Sequence, residues 1–190
     1  MTTAATRAGF VALVGAPNAG KSTLLNQLVG QKVSIVSPKV QTTRARVVGI
    51  LMEGQSQVIL VDTPGIFMPK RRLEKAMVDA AWAGQEDADR TVLLVDAERG
   101  IGEDTNRILK RLEETGSPVW VALNKVDLVR KEVLLELAAR LDEFKCVEQI
   151  FMISALKGHG VDDLRQAMAE GVPASPWLYP EDQVTEMPLR

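Results

Sequence analysis

The spacing G-x-x-x-x-G-K-S occurs at residues 15–22 and brings together residue types that bind phosphate. An apolar run precedes it and a helix-period segment follows, which is the order in which this spacing forms a phosphate-binding loop. The two glycines let backbone N–H groups face phosphate oxygens, and the following helix adds the positive end of its dipole. Lys21 is expected to reach the β- and γ-phosphates, and the Ser22 hydroxyl to bind Mg²⁺. The predicted phosphate-binding residues are Gly15, Pro17, Asn18, Ala19, Gly20, Lys21, Ser22 and Thr23.

The residues NKVD at 124–127 predict which base the nucleotide carries. They follow the strand-like segment VWVAL, near the carboxyl edge of a predicted sheet, where α/β folds bind ligands. Guanine offers N1–H and N2–H₂ side by side, and the Asp127 carboxylate can accept both, whereas adenine leaves that carboxylate unpaired. Asn124 is expected to bridge to the phosphate loop, and the stem of Lys125 to pack over the base. Taken alone, NKVD also fits an aspartate that caps a helix.

A third group, SALKG at 154–158, ends the next strand-like segment. Ser154, Ala155 and Leu156 are expected to contact the nucleotide, with the Ala155 N–H donating to guanine O6. A phosphate loop, NKVD and SAL follow one another in this order along the chain. That order favours recognition of guanine over a simple helix cap.

DTPG at 62–65 ends another strand-like segment and predicts the metal and γ-phosphate contacts. Asp62 is expected to hold Mg²⁺ through water, and the Gly65 N–H to face the γ-phosphate. Thr42 and Thr43 lie in an upstream segment without periodicity, and Thr43 is favoured as a further Mg²⁺ ligand. The alternative for both threonines is a solvated loop. The predicted metal ligands are therefore Ser22, Thr43 and Asp62.

Six apolar segments rich in β-branched residues predict an α/β fold. Several are apolar without alternation, which is typical of strands buried on both faces of a sheet. The second and third are joined by a hairpin-length link, whereas the others alternate with helix-period segments. A mostly parallel six-stranded sheet with one antiparallel strand and helices on both faces is expected. The segments are 10–15, 45–53, 57–62, 91–97, 118–125 and 149–154.

The chain has 190 residues and a formal net charge of −2, which predicts one domain without the excess positive charge that holds a nucleic-acid backbone. The expected organisation is a disordered N-terminus at 1–8, a domain at 9–172 and a proline-rich linker at 173–190. Segments 30–43 and 63–72 lack periodicity and are expected to be loops held by γ-phosphate and Mg²⁺.

The five groups GAPNAGKST, QTTR, DTPG, NKVD and SALKG resemble the guanine-nucleotide motifs of the translation-factor-related bacterial GTPases. QTTR together with the tail YPEDQVTEMPLR is similar to the Era family of ribosome-assembly GTPases within that class. The resemblance implies a Ras-like G domain of the P-loop NTPase fold, Mg²⁺ as cofactor, and a switch that hydrolyses GTP to GDP and phosphate. A Der-like or a tRNA-modification GTPase is the alternative within the same class.

The resemblance also implies partners. In the Era family the tail leads into a C-terminal KH domain that binds small-subunit ribosomal RNA and aids 30S assembly. That domain is expected to lie outside this sequence, so RNA binding is assigned to no residue here. The implied location is the cytoplasm, with peripheral association with the inner membrane.

Catalysis is expected to rest on Asn18, Lys21, Thr43 and Gly65. Many related enzymes carry a glutamine directly after the DxxG glycine to orient water, but here that residue is Ile66. Positioning and charge must then supply the rate, and a binding module with negligible turnover is the alternative. In related GTPases with GxPNxGKS the asparagine binds K⁺, which the resemblance implies for Asn18. A hydrogen bond that braces the loop is the alternative for that side chain.

Overall fold

The six predicted strands all lie in one sheet in the computed structural model, which describes residues 5–29, 33–34, 46–62 and 88–180. A seventh strand of two residues, between the first helix and the second predicted strand, extends the sheet at one edge. The strands are β1 (Arg7–Gly15), β2 (Val33–Ser34), β3 (Arg46–Glu53), β4 (Ser56–Asp62), β5 (Arg90–Asp96), β6 (Val119–Asn124) and β7 (Val147–Met152).

The order of the strands across the sheet is β2-β3-β4-β1-β5-β6-β7. The pairs from β4 to β7 are parallel, whereas β3 runs antiparallel to both β2 and β4. The hairpin between β3 and β4 turns at Gly54, whose φ of 57° is the left-handed conformation that glycine adopts without strain. The expected parallel sheet with an antiparallel edge is thus confirmed.

Four α-helices flank this sheet within the described residues, and each carries an apolar stripe at helical spacing. The buried Leu24 of the first helix and Leu164 of the last pack in one apolar cluster, while Ile108 and Leu137 of the middle helices pack in the other. Because both faces of the sheet are covered, its strands are buried on both sides, as their continuous apolar runs predict. The helices are α1 (Lys21–Val29), α2 (Glu103–Glu114), α3 (Lys131–Asp142) and α4 (Val161–Gly171).

Both predicted domain boundaries require correction. Arg7 and Ala8 belong to β1, so the N-terminal lead-in predicted for 1–8 is too long. At the other end, the linker predicted from 173 instead packs along the domain as far as residue 180, because Ala174 pairs with Arg7 and the Tyr179 side chain is 3% exposed. Residues 1–4 and 181–190 lie outside the described part of the chain.

Across the ranges that the structure describes, none of the helices combines the length and the apolar character that a bilayer span requires. The longest of them, α2 and α3, have 12 residues each, whereas a spanning helix needs about 20.

Candidate nucleotide-binding site

Parallel pairing brings the predicted motifs to one edge of the sheet. Along β5, Leu94 lies opposite Gly15 of β1 and Asp96 lies opposite Asn124 of β6. In the same way, Asp62 at the end of β4 lies opposite Leu13 of β1. The loops that follow these strands therefore leave the sheet side by side, at the carboxyl edge where α/β folds place their ligands.

The loop between β1 and α1 turns tightly before the helix. Its Ala19 N–H donates to the Ala16 carbonyl at 3.2 Å, and Asn18 has a φ of 66°, which is uncommon for a residue with a side chain. The Leu24 N–H then donates to the Gly20 carbonyl at 2.9 Å, which starts α1. The first turn of a helix has amide groups without an intrahelical acceptor, so this turn offers the N–H donors that phosphate requires.

The two motif glycines are required for different reasons. A Cβ on Gly15 would lie 2.9 Å from the backbone carbonyl oxygen of Leu94 in β5, so this residue permits close packing of the loop on the sheet. Gly20 has a φ of 104°, and a Cβ there would collide with the side-chain amide nitrogen of Asn124. The phosphate loop and the NKVD segment therefore touch at a point where no side chain fits at residue 20.

Asn124 joins three loops, as the sequence predicts in part. Its side chain is buried, its Nδ2 donates to the Ala19 carbonyl at 3.0 Å, and its Oδ1 accepts from the Ala155 N–H at 2.9 Å. The bridge to the phosphate loop is the predicted one. The bond from Ala155 was not predicted, and it engages the N–H that is expected to donate to guanine O6, a contact that stays a prediction.

Lys125 points its ammonium group at the phosphate loop. The residue has a left-handed backbone with φ 65°, and its Nζ donates to the Asn18 carbonyl at 3.2 Å and to Asp96 Oδ2 at 2.7 Å. Asp96 has no motif around it in the sequence and was not predicted. Burial raises the pKa of Asp96, but bonds from Lys125 and from the Arg99 and Glu98 amides outweigh this, so that its pKa is below the ordinary 3.8.

Asp127 lies in a short 3₁₀-helix, Val126–Leu128, and its carboxylate is held ionised. A hydrogen bond with the Ser154 side chain is the largest cause, and it lowers the pKa of Asp127 below 3.8 against the opposing effect of burial. Lys157 adds to this effect, with its Nζ 3.7 Å from Asp127 Oδ2. An ionised carboxylate is the acceptor that two adjacent N–H donors of guanine require.

The predicted base-reading residues enclose a cavity of about 210 Å³. Gln27 of α1 donates from Nε2 to the Leu156 carbonyl at 3.3 Å, so the SAL loop is braced from the phosphate-loop helix. The Leu156 side chain itself is exposed and lies on the cavity wall, where it can cover a base. The cavity is lined by Gly20, Thr23, Asn124, Lys125, Asp127, Leu128, Ser154 and Leu156.

The predicted Mg²⁺ ligands fall partly outside the described residues. Ser22 is exposed in the first turn of α1, and the backbone of Asp62 ends β4 at the same sheet edge. Among the residues that the structure describes, no three acidic, histidine or cysteine side chains cluster as a metal site. Mg²⁺ beside a nucleotide needs only one or two protein oxygens besides phosphates and waters, so the exposed Ser22 hydroxyl fits the ion, and Asp62 stays a predicted ligand. Thr42, Thr43 and Gly65 lie outside the described part, as do segments 30–43, apart from β2, and 63–72.

Comparison with known proteins agrees with this geometry. The family model described as 50S ribosome-binding GTPase matches residues 10–125, which is more than half of the chain. The chain belongs to this GTPase family.

Within that family, the chain is similar to proteins named GTPase Era. It is 56% identical over 185 residues to the GTPase Era of Afipia carboxidovorans and 57% identical over 188 residues to that of Mesorhizobium japonicum. These alignments cover 97% and 99% of this chain but only 60% and 61% of the relatives. The chain therefore spans about three-fifths of the length of the curated relatives that it matches.

Two solved structures of Era match the fold closely. One is a single-residue variant of Aquifex aeolicus Era bound to GDP·AlF₄⁻, with 39% identity and a TM-score of 0.79, covering 97% of this chain and 64% of that one. The other is Era in complex with MgGDPNP and nucleotides 1506–1542 of 16S ribosomal RNA, with 39% identity and a TM-score of 0.80, covering 97% and 63%. The expected resemblance to the Era family is confirmed.

Proposed function

We propose that this chain binds guanine nucleotides and hydrolyses GTP to GDP and phosphate. The observation that carries the proposal is the cavity beside the phosphate loop. The ionised Asp127 lines this cavity together with Gly20 and Thr23. A base in this cavity would place its phosphates against the first turn of α1. Family membership supports the same chemistry.

The base-reading role of Asp127 is tested by exchanging its acceptor for a donor. In Asp127→Asn, the amide can pair with the carbonyl that xanthine carries where guanine carries N2–H₂. We expect guanine-nucleotide affinity to fall about 100-fold or more, and xanthine nucleotides to bind better than guanine nucleotides, because a site with an unmatched polar group rejects its ligand strongly. Asp142→Asn, at the end of α3 and exposed, is the matched control. An unchanged preference for guanine in Asp127→Asn would falsify the assignment.

Hydrolysis is proposed to depend on charge and positioning. Mg²⁺, when bound, neutralises phosphate charge; we propose Ser22, Asp62 and Thr43 as its protein contacts. Lys21 and the loop amides would stabilise charge on the γ-phosphate, and Thr43 with the Gly65 amide would hold the attacking water. Because Ile66 cannot orient water, we expect slow intrinsic turnover, on the order of 10⁻⁴–10⁻² s⁻¹.

A binding module without meaningful turnover is the second candidate, and Ile66 is the residue that favours it. Single-turnover release of phosphate from GTP, with Mg²⁺ present, separates the two candidates. Release of one phosphate per bound GTP supports the enzyme. No release over many hours, with GTP bound throughout, supports the module.

A K⁺ ion at Asn18 is proposed to add charge near the phosphates. Asn18 is exposed in the phosphate loop, and its side chain forms no hydrogen bond within the described residues, which weighs against the bracing alternative. Its backbone carbonyl accepts a hydrogen bond from Lys125 Nζ. Turnover measured in KCl and in NaCl at equal ionic strength should be faster in KCl, and Asn18→Ala should remove the difference. Equal rates in both salts for the unmodified chain would contradict the proposal.

We propose that this protein takes part in assembly of the 30S subunit, and that the relatives contact ribosomal RNA through the part of their length that this chain does not cover. The Era structure with 16S ribosomal RNA supports that partner, although the family description names the 50S subunit. A net charge of −2 agrees with an RNA contact elsewhere. Mesorhizobium japonicum GTPase Era should bind an RNA of nucleotides 1506–1542 of 16S ribosomal RNA, whereas this chain alone should not. Location in the cytoplasm, with a peripheral membrane fraction, is part of the same proposal.

A further inference from the structure

An aspartate that no motif contains lies between the two halves of the nucleotide site. Asp96 ends β5 directly opposite Asn124 in the parallel register, and its side chain is 7% exposed. The next residue after Asn124 is Lys125, whose left-handed backbone turns its side chain back towards β5. The sheet register thus places a buried carboxylate next to Lys125, the lysine of the NKVD segment at 124–127, which is called the base-reading segment below.

The two oxygens of Asp96 have different partners. Oδ1 accepts the N–H groups of Glu98 and Arg99 at 2.9 and 3.3 Å, which shapes the turn after β5. Oδ2 accepts from Lys125 Nζ at 2.7 Å, a short charge-assisted bond. The same ammonium group donates to the Asn18 carbonyl at 3.2 Å in the phosphate loop. One carboxylate therefore fixes a cation that connects the base-reading segment to the phosphate loop.

We propose that Asp96 is a positioning residue for nucleotide binding, which holds Lys125 against the Asn18 carbonyl so that the phosphate loop and the base-reading segment form one preorganised site. This inference rests on the proposed binding of guanine nucleotides at this edge. A free lysine side chain has many rotamers, and ordering it on binding costs affinity. With Asp96 present, that ordering is completed before the nucleotide arrives.

The effect should appear in nucleotide retention and not in the chemical step, because Asp96 acts through Lys125 and lies outside the predicted catalytic contacts. Asp96→Asn is a narrow change, since the amide oxygen can still accept the Glu98 and Arg99 N–H groups while its NH₂ replaces the oxygen that faces Lys125. We expect the Kd for GDP to rise about tenfold, mostly through faster dissociation. The rate of single-turnover GTP hydrolysis at saturation should change less than about twofold.

Asp89→Asn is the matched control, because Asp89 accepts the Phe10 N–H at 2.7 Å just before the start of the same strand, away from the site. Asp96→Glu should recover part of the affinity by restoring the charge. If Asp96→Asn does not fold, Asp96→Ser serves as the second variant, since a serine hydroxyl can still accept from backbone N–H groups in such turns.

A double-mutant cycle with Lys125→Met decides between positioning and a general structural role. If Asp96 acts through Lys125, the tenfold loss caused by Asp96→Asn should disappear in the Lys125→Met background. Equal losses in both backgrounds, or an unchanged Kd in Asp96→Asn, overturn the inference. Failure of the unmodified chain to bind GDP would instead reject the proposed function, so the two failures are distinguishable.

Discussion

The side-chain amide nitrogen of Asn124 lies in the space that a Cβ on residue 20 would occupy. Gly20 directly precedes α1 and Asn124 ends β6, so this contact joins two motifs that are far apart in the chain. The hydrogen bond from Asn124 Nδ2 to the Ala19 carbonyl lies next to it. The absence of a side chain at Gly20 therefore makes room for Asn124 of the base-reading segment as well as for the phosphates.

Gly20→Ala should lose nucleotide binding and stability together. The new methyl group must displace Asn124, and an alanine at φ 104° is strained by about 1–3 kcal/mol. We expect GDP affinity to fall at least about tenfold. Urea unfolding and titration with a fluorescent GDP analogue measure the two effects. Gly102→Ala is the control, because its φ is −81° and no atom of the described residues lies within 4 Å of its Cβ position. It should leave both quantities nearly unchanged.

Asn124→Ala should destabilise the site even without nucleotide. The substitution leaves the Ala19 carbonyl and the Ala155 N–H unpaired in a buried place, and each costs about 1–3 kcal/mol. We expect the free energy of unfolding to fall by about 2–4 kcal/mol in the apo protein, measured by urea unfolding. Asn106→Ala on α2, a half-buried asparagine without a side-chain hydrogen bond within the described residues, should cost less than about 1 kcal/mol. Equal losses in the two variants would refute the bridging role.

The carboxyl-edge site could be predicted from the sequence because each motif directly follows an apolar strand segment. Once Gly15, Asp62 and Asn124 are placed at strand ends and Ser154 shortly after β7, parallel pairing alone brings them together. The physical requirements are local, namely a left-handed glycine, a helix N-terminus and a carboxylate of fixed charge. Local requirements of this kind fix residue types at set spacings, which can be recognised in the sequence.

Features that depend on tertiary contact could not be predicted in this way. Asp96 is a single aspartate after VLLV, and only the pairing of β5 with β6 gives it a lysine partner. The use of the Ala155 N–H by Asn124 depends on the distance between two loops, which spacing does not give. The prolines of the tail from residue 173 predict a linker, yet the Gln57 side chain of the domain forms hydrogen bonds with the backbone of Tyr179 in the tail.

Asp96 should make stability depend on pH in the acid range. Its pKa is lower in the folded protein than in the unfolded chain, so its ionised form stabilises the fold above pH 3.8, and this contribution is lost as the pH falls through the folded-state pKa. Asp96→Asn should therefore cost about 1–2 kcal/mol at pH 6, and the cost should shrink at pH 3. Urea unfolding of both proteins at the two pH values measures this. A cost that is the same at both values contradicts an ionised Asp96 in the fold.

Gln57→Leu should release the tail from the domain. The Gln57 side chain in β4 is fully buried and forms three hydrogen bonds with the backbone of the tail. Its Nε2 donates to the Tyr179 carbonyl at 2.8 Å, and its Oε1 accepts the N–H groups of Leu178 and Tyr179 at 2.9 and 3.0 Å. Leucine fills a similar volume but leaves these three backbone groups unpaired, at about 1–3 kcal/mol each. The backbone can avoid that cost only by moving into water, so the tail should detach before the sheet unfolds.

Hydrogen exchange and limited proteolysis distinguish tail release from general loss of stability. In Gln57→Leu we expect the amides of Leu178 and Tyr179 to exchange at least about tenfold faster, with protection in β1 and β6 retained. Gln55→Leu makes the same substitution at an exposed position of the β3–β4 turn, where Trp177 Nε1 donates only to the backbone carbonyl at 3.1 Å, so it should leave the tail protected. If Gln57→Leu leaves the exchange of these two amides unchanged, the docking of the tail does not depend on the glutamine.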